Sequence, residues 1–197
     1  WEKIGFSAPP ELNLDVTGDA RDLQSFAVRL LVAASGAVTP WGELQDGRLS
    51  VKLYAATNQV SGGRETAPPG EGHATTNLVS RAELRLEAAD ARTRWGNLTN
   101  LLLELRGISN VAETNIVHGE IKLNAGRVDT KWASARDTRL VGTWTHSLTN
   151  PVPIFGQGEV FWGQANAKWG STTNGHLRAT LATPPPGSLP ASDASWG

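Results

Sequence analysis

Apolar and polar residues alternate one by one along much of this chain. In residues 11–16 (ELNLDV), Leu12, Leu14 and Val16 fall on one side and Glu11, Asn13 and Asp15 on the other, the period of a half-buried strand. Residues 81–88 (RAELRLEA) repeat the alternation. The lead-in 6–10 reads as extended, because proline fixes φ and pushes its predecessor out of the helical region. The same pattern predicts strands over 48–55, 90–95, 101–106, 117–124, 127–132, 139–145, 160–169 with a bend near Gly163, and 177–182. Residues 19–34 are ambiguous, since Leu23, Phe26, Leu30 and Ala34 also fall at helical spacing behind a capping Asp19.

A long-range recurrence resolves that ambiguity. Trp95, Trp132 and Trp169 lie 37 residues apart, each preceded by a base (Arg94, Lys131, Lys168) and followed by a small residue (Gly96, Ala133, Gly170). Five residues after each tryptophan stands Asn100, Asp137 or Asn174, and eight after it Leu103, Leu140 or Leu177. Trp41, with Gly42, Asp46 and Leu49, is a fourth copy, displaced by a Gly/Pro-rich insertion read over 58–77. Internal repetition of this kind precedes any other reading. It aligns Val28, Leu30 and Val32 with Ala82, Leu84 and Leu86, so 19–34 is read as strand.

Each unit then reads as three short strands: one ending about seven residues before the tryptophan, one ending at it, and one centred on the later leucine. The Asn or Asp between the last two is placed in a tight turn, which these residues tolerate. In the Trp95 unit one face carries Leu84, Leu86, Ala91, Thr93, Trp95, Leu103 and Leu105, and the other Glu83, Arg85, Glu87, Arg92, Arg94, Glu104 and Arg106. No convincing helix is available to cover the apolar side. Residues 1–183 are taken as one β-repeat domain and 184–197, rich in Pro and Ser, as a linker or the start of a next unit.

Composition adds mainly exclusions. Eighteen basic against 19 acidic residues give a net charge of -1, which offers nothing to a polyanion, so nucleic acid is not expected as a partner. Cysteine is absent, so the fold needs no disulfide; methionine is absent too, even at position 1, which reads as a processed product or, given the closing Ser195-Trp196-Gly197, as a piece of a longer protein. No apolar run approaches the ~20 residues of a membrane-spanning helix.

The four histidines are isolated, and no metal-ligand spacing, nucleophile motif or phosphate loop occurs. Neither an enzyme nor a cofactor is expected. Asn97-Leu98-Thr99 is a chance sequon. The tryptophans admit two readings: a ladder of buried core anchors, or, with Trp144 and Trp162, the lining of an apolar groove for a chain-like ligand. Strict alternation sends each preceding base to the face opposite the ring, as solvated charge or, less simply, as a contact for lipid head groups.

FSAPPELNLDVTGD, the units DARTRWGN, RVDTKWAS and ANAKWGS, the strands RAELRLEA and GEIKLNA, and TNPVPIFGQGEV together resemble the AsmA-like group of bacterial proteins, which includes TamB-type bridge-like proteins. The resemblance implies an all-β chain of tandem 37-residue amphipathic repeats forming an elongated, curved or U-shaped sheet. A closed β-sandwich is the alternative. It further implies a periplasmic, cell-envelope setting and phospholipid or another acyl-chain ligand carried along the apolar face. The candidate lipid-facing residues are Leu84, Leu86, Trp95, Leu103, Ile121, Leu123, Trp132, Leu140, Val160, Trp169 and Leu177. The rival expectations are a structural or interaction subunit with a filled core and a membrane-associated protein partner, and a carbohydrate-binding sandwich.

Overall fold

The computed structural model describes residues 4–59, 77–110, 116–147 and 153–182. These form a single open antiparallel sheet of ten strands. The strands are β1 (Gly5–Phe6), β2 (Glu11–Asp19), β3 (Asp22–Thr39), β4 (Gly42–Gln59), β5 (Asn77–Thr93), β6 (Gly96–Asn110), β7 (Ile116–Thr130), β8 (Ala133–Ser147), β9 (Pro153–Ala167) and β10 (Gly170–Ala182). From β3 onward each strand pairs with the next in sequence, while β1 and β2 share the outer edge of β3. The Ser7 amide bridges them by donating to the Gly36 carbonyl at 3.0 Å. All substantial contacts run between sheet neighbours, so the described residues do not close into a sandwich. Most of the 58–77 insertion and the whole 184–197 segment lie outside the described residues.

The strands are longer and fewer per tryptophan than the alternation suggested. β6 to β9 have 15 residues each and β3 and β4 have 18, which at about 3.3 Å per residue makes β6 roughly 50 Å long. Segments 81–88 and 90–95, expected as separate strands, belong to β5, which stops at Thr93 before the tryptophan.

Asp46, Asn100, Asp137 and Asn174 do adopt the left-handed region, with φ of 49°, 51°, 53° and 52°. They do so inside β4, β6, β8 and β10, not between strands. Pairing skips the residue itself and resumes in the same register: Ala88 faces Leu101 and Asp90 faces Thr99, with Ala89 and Asn100 passed over. Asparagine and aspartate are the non-glycine residues that enter this region most readily.

The kink explains an irregularity in the pattern. Period two would put Leu98 and Leu101 on opposite faces, yet Leu98 and Leu103 pack with Ala88, Ala91 and Leu101 in one cluster, together with Leu44, Leu86 and Leu123. One left-handed residue resets the alternation, so the apolar side stays the same on both sides of the kink.

Candidate functional site: an uncovered apolar face and a row of tryptophan turns

Register lines the apolar residues into rows that cross the sheet at right angles to the strands. One row runs Leu12, Val32, Leu49, Leu86, Leu103, Leu123, Leu140, Val160, Leu177 over nine strands. Next to it runs Leu14, Leu30, Val51, Leu84, Leu105, Ile121, Gly142, Gly158, Ala179. The eight aliphatic residues singled out from the sequence therefore fall on two adjacent rows of one face. Cross-strand pairs of this kind are the unit of sheet stabilisation, each worth roughly 0.2–1 kcal/mol.

Little covers these rows. The buried hydrophobic side chains among the described residues are Ala88, Ala91, Leu101 and Ala125. At the margins Leu12, Leu14, Val16, Leu177 and Leu181 are more than half exposed. The central leucines are half-buried by their own neighbours in the sheet. Toward β10 the second row turns to glycine at Gly142 and Gly158, and an indole lies beside the rows on either flank: a Cβ on Gly119 would overlap the Trp144 ring, and one on Gly175 the Trp162 ring. Near the kink, Thr138 Oγ1 and Trp162 Nε1 are buried without a protein partner. Buried polar groups ordinarily have one, so this spot suits a water or a polar atom of a ligand.

The opposite face is ionic. Arg85 reaches Glu87 at 2.6 Å and Glu104 at 2.9 Å, and Arg127 reaches Asp129 at 2.7 Å. Glu83 accepts from the Tyr54 hydroxyl at 2.7 Å and pairs with Arg81 and, at 3.6 Å, with Arg106. The Tyr54 hydrogen bond, helped by Arg81 and Arg106, holds the Glu83 carboxyl below its ordinary range. The same bond pushes the Tyr54 phenol up. Phe161 stacks on His176 with ring centroids 4.4 Å apart.

Trp95, Trp132 and Trp169 stand apart from the rows. Each is the second residue of a two-residue hairpin loop, as is Trp41, and the four loops all lie at one end of the sheet. Their exposures are 68% for Trp41, 56% for Trp95, 57% for Trp132 and 83% for Trp169, which overturns the expectation of buried core anchors. Two-residue hairpins usually need positive φ at their central positions. Here none of the central residues has it, and a threonine hydroxyl holds the turn.

Thr93 Oγ1 accepts from the Trp95 and Gly96 amides, both at 3.2 Å, and donates to the Gly96 carbonyl at 2.9 Å. Thr39 and Thr130 repeat the arrangement at Trp41 and Trp132. In the fourth turn Ala167 stands in the threonine's place. This threonine, two residues before the tryptophan, was visible in three of the four units and is the signal that sequence reasoning missed.

Two of the bases preceding the tryptophans, Arg94 and Lys131, do not point away from the rings. Arg94 Cζ lies 4.3 Å from the centre of the Trp95 ring and Lys131 Nζ 4.4 Å from that of Trp132. In a turn, neighbouring side chains no longer obey strand alternation, so cation and indole meet face to face. No protein-family model, curated protein or solved structure matches this chain.

Proposed function

We propose that this chain is a non-enzymatic, lipid-handling segment whose apolar sheet face takes up the acyl chains of phospholipid. The observation that carries the reading is the pair of aliphatic rows crossing strand after strand with nothing from the described residues laid over them. A sheet face of this kind needs a cover, and an exposed contiguous apolar surface larger than a few hundred Å² marks an interaction site. Each methylene moved from water onto such a face is worth ~0.8 kcal/mol. Rows of nearly uniform aliphatic residues offer a chain many equivalent positions and no single deep trap.

In this reading the hairpins are tandem units of an elongated, curved sheet, as in the AsmA-like proteins that the strand pattern resembles, and the setting is the cell envelope. Leu84, Leu86, Leu103, Ile121, Leu123, Leu140, Val160 and Leu177 face the acyl chains. Trp95, Trp132 and Trp169 stand at the end of that surface.

The test is native mass spectrometry of the purified chain, with an organic extract of the same sample analysed for lipid. Near-stoichiometric phospholipid is expected from the wild type. Its loss is expected from Leu86→Glu combined with Leu123→Glu, with far-UV circular dichroism unchanged. A lipid-free wild type that recovers one stoichiometric protein would replace lipid with a protein cover. Lipid retained by the folded double variant would remove the face from the mechanism.

A further inference from the structure

The turns have a chemistry the apolar rows do not need. Successive tryptophan turns are two strands apart, so the indoles recur roughly every 9.5 Å, and the four turns span roughly 28 Å along one end of the sheet. All four rings are more than half exposed. Three of the turns carry a cation next to the tryptophan in sequence, Arg94, Lys131 and Lys168, the Trp41 turn carries Pro40, and none of the two-residue loops contains an acid. Exposed Trp next to Lys or Arg is the pairing that suits a membrane–water interface: the ring sits at head-group depth and the cation meets lipid phosphate.

Fixed geometry favours the same conclusion. The threonine clamps of the first three turns bind backbone amides, so these rings project from anchored supports and lose little freedom on docking. A cation lying over an indole places charge and apolar surface at the same depth.

We propose that this row of turns is a docking edge for the surface of a phospholipid bilayer bearing anionic head groups. The chain meets the bilayer end-on through the turns, with the indoles at the head-group level and Arg94, Lys131 and Lys168 on the phosphates. The proposal stands on the turns alone and goes beyond acyl-chain binding on the apolar face.

The experiment is flotation of the chain with phosphatidylcholine vesicles and with vesicles of phosphatidylcholine and phosphatidylglycerol, alongside quenching of tryptophan fluorescence by phospholipid brominated close below the head group. Wild type is expected to float with the anionic vesicles, to release in high salt and to be quenched. Replacing Arg94, Lys131 and Lys168 together by Ser should weaken anionic-vesicle binding about a hundredfold, since each cation near such a surface contributes close to a factor of five. Replacing Trp41, Trp95, Trp132 and Trp169 together by Ser should sharply reduce shallow quenching and weaken binding on both vesicle types.

These substitutions leave every clamp donor and acceptor in place, and unchanged circular dichroism would confirm the fold. The variant Leu86→Glu with Leu123→Glu should lose co-purified lipid yet still float. Wild type that fails to float, or rim variants that float and quench like wild type, would overturn the proposal. So would loss of flotation confined to the face variant, which would route membrane contact through the rows.

Discussion

The Thr93 hydroxyl accepts from the Trp95 amide at 3.2 Å and returns a hydrogen bond to the Gly96 carbonyl at 2.9 Å, closing a hairpin that has no left-handed residue at its centre. Thr93→Val keeps the shape of the side chain and removes these bonds. It is expected to cost about 1 kcal/mol, the usual net worth of a hydrogen bond with a little more for the unpaired amides. Ala167→Thr should move the fourth turn the other way, by up to about 1 kcal/mol. Urea denaturation of both variants checks this, and a stable Thr93→Val protein would deny the clamp its role.

Asn100 sits at a φ of 51° within β6. An ordinary side chain there costs about 1–2 kcal/mol, while glycine is at ease. Asn100→Ala should therefore destabilise by about 1 kcal/mol and Asn100→Gly should be close to neutral. Equal losses in the two would show that the asparagine side chain, not the backbone, sets the kink.

Gly119 faces Trp144 across β7 and β8, and the indole occupies the space a Cβ would take. Gly119→Val should push the ring off the sheet at a cost of about 1–3 kcal/mol, the range of overpacking. Near-UV circular dichroism is the readout. An unchanged spectrum with unchanged stability would mean that Gly119 gives no support to the indole.

The Glu83 cluster makes stability depend on pH in a defined direction. The Tyr54 hydrogen bond and the two arginines depress the folded Glu83 carboxyl, so the stabilisation it contributes is present above the ordinary glutamate range and lost as pH falls through the folded value. Tyr54 is shifted upward, so its contribution is complete below the ordinary phenol range and lost as pH rises through the folded value. Tyr54→Phe should shrink both effects. The check is the difference in denaturation midpoint between wild type and Tyr54→Phe, expected to narrow at pH 3 and again above pH 10 relative to pH 7.

Strand content and the shared face of the eight singled-out aliphatic residues were legible in the alternation, because period two is a local property of extended backbone and needs no partner to be read; the common face of Leu98 and Leu101, on either side of the Asn100 kink, was not. The 37-residue recurrence picked out tryptophans that all fall in hairpin turns, without saying what they do. The misplaced features are the ones where local chemistry points the wrong way. Asn100 and Asp137 carry the signature of turns yet sit inside paired strands, while Arg94-Trp95 carries the signature of a strand yet forms the turn.

The amino-acid sequence by itself determined that this chain is β and on which side of its strands the aliphatic residues singled out above gather. Only the tertiary structure decided where the strands end, that the tryptophans project from one end of the sheet with cations over two of them, and that the described residues form one open layer. The physical reason is that a strand ends where its inter-strand hydrogen bonds end. Those bonds depend on residues elsewhere in the chain, which a local pattern cannot count.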